Sequence, residues 1–88
     1  MADKLWLVSQ NDNNGYDTFD AFVVYADTEE EARNFMPFWD GTAVPFKTEG
    51  YTSGSWARSI DYVTVEFLGY CYLEHPNGKI VLASFNAG

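Results

Sequence analysis

Between Phe35 and Trp56 the chain shows neither the period of a helix nor the alternation of a strand. It nevertheless carries Phe38, Trp39, Phe46, Tyr51 and Trp56, which include two of the three tryptophans of the protein. A connection of about 20 residues without secondary structure is uncommon inside a compact domain, and when present it is usually functional or packed on itself. So many large apolar side chains need a surface to lie on. The flanking segments must therefore supply an apolar face, and this requirement constrains the fold more than any single motif.

Those segments read as strands. Leu5–Val8 is a compact apolar run followed by the polar residues Ser9–Gly15, which fits a strand buried on both faces. Asn14 and Gly15 supply the positive φ angles of a turn. A second strand at Ala21–Ala26 pairs with the first as an antiparallel hairpin with a wide loop. Near the C-terminus a long strand is expected from Tyr62 to Leu73, with Gly69 marking a bulge or bend. Pro76, Asn77 and Gly78 then predict a tight hairpin into a last strand, Ile80–Phe85.

The sharpest local signal is Thr28-Glu29-Glu30-Glu31, a capping box in which the Thr28 hydroxyl takes the Glu31 amide. Three carboxylates in the first turn suit the positive end of a helix, and Glu29 can pair with Arg33. Ala32, Phe35 and Met36 share one face, and Pro37 ends the helix. A helix of about two turns is stable only when packed on a sheet. The expected fold is α+β: residues 1–88 as a single domain, with a four-stranded, mainly antiparallel sheet in the order β-β-α-long loop-β-β and the helix on one face. One short helix cannot cover such a face, so either the Phe35–Trp56 stretch or a second copy of the protein covers the remainder.

Thirteen acidic residues against five basic ones give a net charge of −8. That field repels nucleic acid and anionic membrane and favours partners with basic surfaces. Cys71 is the single cysteine, so no intramolecular disulfide forms. The opening residues are too short and acidic for a signal peptide, which points to the cytoplasm.

Catalytic signals are weak. Cys71 and His75 are four residues apart but lack a third orienting group. Asp12, Asn14 and Asp17 miss the ligand spacing of a calcium loop, and one Cys with one His is too few for zinc. The residues imply neither a cofactor nor a metal and favour a non-enzymatic protein. The candidate partner-binding groups are Asp12, Asp17 and Asp20 in the first hairpin, Asp27, Glu29, Glu30 and Glu31 around the helix start, and Trp39, Asp40, Tyr51 and Trp56 in the aromatic stretch. Carboxylates on neighbouring elements at about 6–7 Å could imitate the phosphates of nucleic acid. An aromatic pocket for a nucleotide signal, at a possible homodimer interface, is the alternative, and a structural or housekeeping role a third.

Leu5–Gln10, the run Gly15–Val24, the Glu-rich helix with Ala32 and Arg33, and the ending Ala83–Gly88 together resemble a group of short proteins encoded by bacteriophages. The resemblance covers both ends and the helix, not the middle. It implies a role in the cytoplasm of an infected host, in the manner of small acidic inhibitors of host defence such as anti-CRISPR proteins, and assigns no functional residue.

Overall fold

The first two strands form the frame on which the rest is laid. The computed structural model describes residues 2–13, 15, 17–38, 40–46 and 55–86. Strand β1 (Ala2–Gln10) pairs antiparallel with β2 (Thr18–Tyr25), with Leu5 opposite Tyr25, Leu7 opposite Val23 and Ser9 opposite Ala21. The wide loop between them is tied by buried Gln10. Its Oε1 accepts from the Asp12 and Asn13 amides and its Nε2 donates to the carbonyls of Asn13 and Phe19, all at 2.8 Å. One amide side chain thus satisfies backbone groups that a polar loop would otherwise leave to solvent. Asn14 of the expected turn lies outside the described residues.

The helix α1 (Glu29–Arg33) starts where expected, with the Thr28 hydroxyl accepting from the Glu31 amide at 3.1 Å. It ends sooner than predicted. The Asn34 amide closes on the carbonyls of Glu30 and Glu31, and the Asn34 side chain bonds the Glu30 carbonyl at 2.8 Å. This terminates the helix one turn before Pro37. Phe35 and Met36 therefore belong to a strand, β3 (Phe35–Pro37), which pairs with β4 (Ala43–Pro45) in a second, two-stranded sheet. Between them Asp40 accepts from the Thr42 amide and hydroxyl, and Gly41 takes a φ of 85°. The apparently aperiodic stretch thus contains a hairpin whose three-residue strands are too short to display a period.

A 3-10 helix, Ile60–Tyr62, capped by the Ser59 hydroxyl, leads into β5 (Val63–His75), so Tyr62 precedes the strand. The last strand is β6 (Ile80–Asn86). The four-stranded sheet has the order β5-β1-β2-β6 and every pairing is antiparallel. This corrects the expected C-terminal hairpin. Residues 76–79 do reverse the chain, but β5 and β6 occupy opposite edges, and the turn passes over the end of the β1–β2 pair. It is held there by the Gly78 amide on the Tyr25 carbonyl at 2.7 Å and the Tyr25 amide on the Lys79 carbonyl at 3.0 Å. The predicted irregularity at Gly69 is present: Leu5 faces Gly69 while Trp6 faces Phe67, which leaves Leu68 as the extra residue of a bulge.

Among the described residues, the covering elements lie on one face of the sheet. Trp6, Val8, Phe22, Val24 and Val63 from the sheet pack with Ala32 of α1, Met36 of β3, and Trp56 and Ala57 of the following segment. Trp6 Nε1 donates to the Ala26 carbonyl at 2.8 Å, which satisfies its polar atom inside the core. Strand β1 is therefore buried on one face, not two. Leu5 and Leu7 point the other way and stay half-buried between neighbouring strands.

Candidate functional site

The acidic groups singled out in the sequence fall into two separate sets. Asp12 and Asp17 stand in the loop before β2, with Asp20 near its start, whereas Asp27 follows its end. An eight-residue strand lies between them, a separation of roughly 24 Å at about 3.4 Å per residue. The fold does not bring the hairpin-loop carboxylates beside Asp27. Asp17 is exposed in the left-handed conformation, φ 59°, and Glu29, Glu30 and Glu31 are all exposed. Asp27 accepts from Asn77 Nδ2 at 3.3 Å, which links the helix approach to the β5–β6 turn.

Asp12 has a structural partner. Its carboxylate takes the Arg58 guanidinium in a two-pronged contact, Nη2 to Oδ1 at 2.8 Å and Nε to Oδ2 at 3.0 Å, and also the Arg58 amide at 2.9 Å. The Arg58 side-chain hydrogen bonds, with its amide and its charge, hold the Asp12 carboxyl down at about 2, far below the usual carboxylate range. Asp12 therefore fastens the Trp56–Arg58 segment to the first loop. Asp40 is engaged in its own turn, and the Thr42 hydroxyl and amide lower its pKa.

Arg33 also departs from expectation. Its Nη1 donates to the Val63 carbonyl at the start of β5, so the cation predicted to answer Glu29 reaches beneath the helix instead. Lys4 lies 4.0 Å from Asp3 and sits over the Tyr70 ring. Three of the five basic residues are thus turned to internal partners, while the carboxylates at the helix start face water.

The aromatic candidates divide differently. Trp56 is 0% exposed and packs edge-on against Phe22 with ring centroids 5.2 Å apart. Its Nε1 has no hydrogen-bond partner among the described residues. It is a core residue, so the described parts of the Phe35–Trp56 stretch cover the sheet where the short helix does not. Phe35, Val44 and Phe46 pack against the same core. Trp39 and Tyr51 lie outside the described residues.

Cys71, Tyr25 and His75 do meet. The Tyr25 hydroxyl lies 3.4 Å from Cys71 Sγ, and the Tyr25 ring stacks on His75 at 4.2 Å. Hydrogen bonding from the phenol favours the thiolate, so the Cys71 pKa falls and that of Tyr25 rises. Tyr25 thus touches both side chains, the thiol through its hydroxyl and the imidazole through its ring. Among the described residues no group of three or more His, Cys, Asp or Glu is placed to hold a metal ion. No helix of the described residues is long and apolar enough to cross a membrane.

The surface feature that the motif reading missed is the apolar exposure of β5 and β6. Tyr70, Leu73 and Leu82 are largely exposed and Tyr72 is 99% exposed. The signal was present in the sequence, since the Tyr62–Leu73 run has large apolar groups at both parities. Tyr70 pairs with Lys4 and lies on the same side of the sheet as Trp6, whereas Leu82 pairs with Val23 on the opposite side. No family model matches the chain, and neither does any curated protein or solved structure.

Proposed function

We propose that this protein is a non-catalytic binding protein that blocks a basic partner, a nucleic-acid-handling or defence protein of a bacterial host, through its acidic surface. The observation that carries this reading is the helix start, where Glu29, Glu30 and Glu31 are exposed side by side while Arg33 is diverted to the Val63 carbonyl. Three carboxylates on one turn, without the cation that spacing would supply, make a local anionic surface on a chain of net charge −8. Such a surface steers toward Lys- and Arg-rich grooves that normally hold phosphates. The phage-like ends of the chain supply the host setting. Asp27 and Asp17 extend the negative field, and Asp12 contributes to folding instead of contact.

The test is capture from bacterial lysate by the wild-type protein and by an E29Q/E30Q/E31Q variant, each at low salt and at about 0.5 M salt, where the Debye length shrinks to a few ångström. Nucleic-acid-binding proteins retained at low salt, released at high salt and lost by the variant are expected. Capture that is indifferent to both salt and the three charges overturns the proposal.

A further inference from the structure

The sheet face turned away from the core carries an ordered pattern of side chains. Strand pairing places Thr64, Ser9, Ala21 and Ser84 in one row across all four strands, and Glu66, Leu7, Val23 and Leu82 in the next. The first row is small, and the second is large and, apart from Glu66, apolar. No core residue comes from either row. Thr64, Glu66, Leu82 and Ser84 are exposed, and nothing among the described residues packs over them.

We infer that this face is the contact surface for a second copy of the same chain. Charge argues for the occupant. The two rows contain one ionisable residue, Glu66 at the β5 edge, so these rows offer little to the basic partner that the acidic helix start would attract. Shape argues the same way. A two-fold axis lying in the interface, parallel to the rows and midway between them, sets the large row of one copy over the small row of the other. Leu7 and Val23 then fill the space above Ser9 and Ala21, and each Glu66 lies at the rim over a Thr64 hydroxyl of the second copy. The other in-plane axis, along the strands, would press Glu66 onto Leu82, which costs the desolvation of a carboxylate.

Area makes this a weak contact. Four strands at about 4.8 Å and the five β1 residues that lie symmetrically about that axis, Trp6–Gln10, at about 3.4 Å give an overlap of roughly 19 by 17 Å, or about 320 Å² per copy. Two copies bury about 650 Å², below the roughly 1,000 Å² of a stable specific interface and in the range of transient ones. Stacked sheets about 10 Å apart would therefore associate reversibly in the high micromolar range. This surface is independent of the acidic helix start and does not rest on the function proposed above.

Sedimentation velocity from 1 µM to 1 mM tests the inference. The wild-type protein is expected to pass from one chain to two across that range, and more readily at high salt, which screens the repulsion between two chains of charge −8. Leu82→Asp and Ser84→Glu, both at exposed positions, are expected to weaken the association at least tenfold, while E29Q/E30Q/E31Q retains it. Circular dichroism melting confirms that each variant is folded. A single-chain mass at 1 mM, association that salt weakens, or wild-type dimerisation by either folded face variant overturns it.

Discussion

Trp56 is the residue on which the account of the lid can be tested most directly. Truncation to Ala removes the largest fully buried side chain, and buried Trp→Ala or Phe→Ala changes cost about 3–5 kcal/mol. Part of that cost is offset here, because the indole Nε1 is buried without a partner among the described residues and its removal recovers about 1 kcal/mol, the lower end of the penalty for an unsatisfied group. W56A should therefore destabilise by about 2–4 kcal/mol. W56F removes the nitrogen yet keeps a ring against Phe22, and should cost about 1 kcal/mol or less. A domain of 88 residues has about 4–13 kcal/mol of stability at about 0.05–0.15 kcal/mol per residue, so W56A removes a large fraction. Urea unfolding followed by circular dichroism, with the slope of the transition unchanged, measures both values. A loss below 1 kcal/mol in W56A would make the stretch an appendage and not a lid. W56F as damaging as W56A would refute the assignment of an unsatisfied nitrogen.

The Asp12–Arg58 clamp predicts an acid limb of stability. Because the folded carboxyl titrates at about 2 and an unfolded Asp near 3.9, its contribution is complete above about pH 4 and is lost as pH falls toward 2. Thermal melts of D12N should lack the part of the decline between pH 4 and 2 that the wild-type protein shows, and an identical acid profile would remove the clamp from the account. Gly78 has a φ of 84°, and a Cβ there would stand 2.9 Å from Phe35 Cε1. G78A is therefore expected to cost about 1–2 kcal/mol. The cost should shrink in an F35A background if the ring is the obstacle, and an equal cost in both backgrounds would leave backbone strain alone responsible.

Much of the frame was legible because its signals are local. The Thr28 cap is a contact between residues three apart, and the β1–β2 hairpin joins two apolar runs through an unmistakably polar loop. The same locality explains the failures. Pro76, Asn77 and Gly78 specify that the chain reverses, but not which strand the next segment joins; that depends on β1 already being flanked by β5 and β2 being free on its far side. Phe35 and Met36 have helical spacing to Ala32, yet the Asn34 side chain caps the Glu30 carbonyl, and the apolar pair is buried equally well from a strand. Helix spacing offers Arg33 to Glu29, yet its guanidinium bonds the Val63 carbonyl 30 positions away, which no window on the sequence contains. For the acidic surface, residue type was readable and grouping was not, since the length of β2 keeps the two sets apart.

The route from β5 to β6 has a consequence for how the molecule comes apart and together. Two edge strands that never touch are joined by four residues drawn across the mouth of the central hairpin, like a clasp over a hinge. Neither edge can peel away far without pulling that link off Tyr25 and drawing on the other edge. The central pair joins neighbours in the sequence, whereas both outer strands pair with partners far from them in the chain, and the link between the two has to close over that central pair. A sheet normally weakest at its margins has, in this chain, its two margins tied to each other.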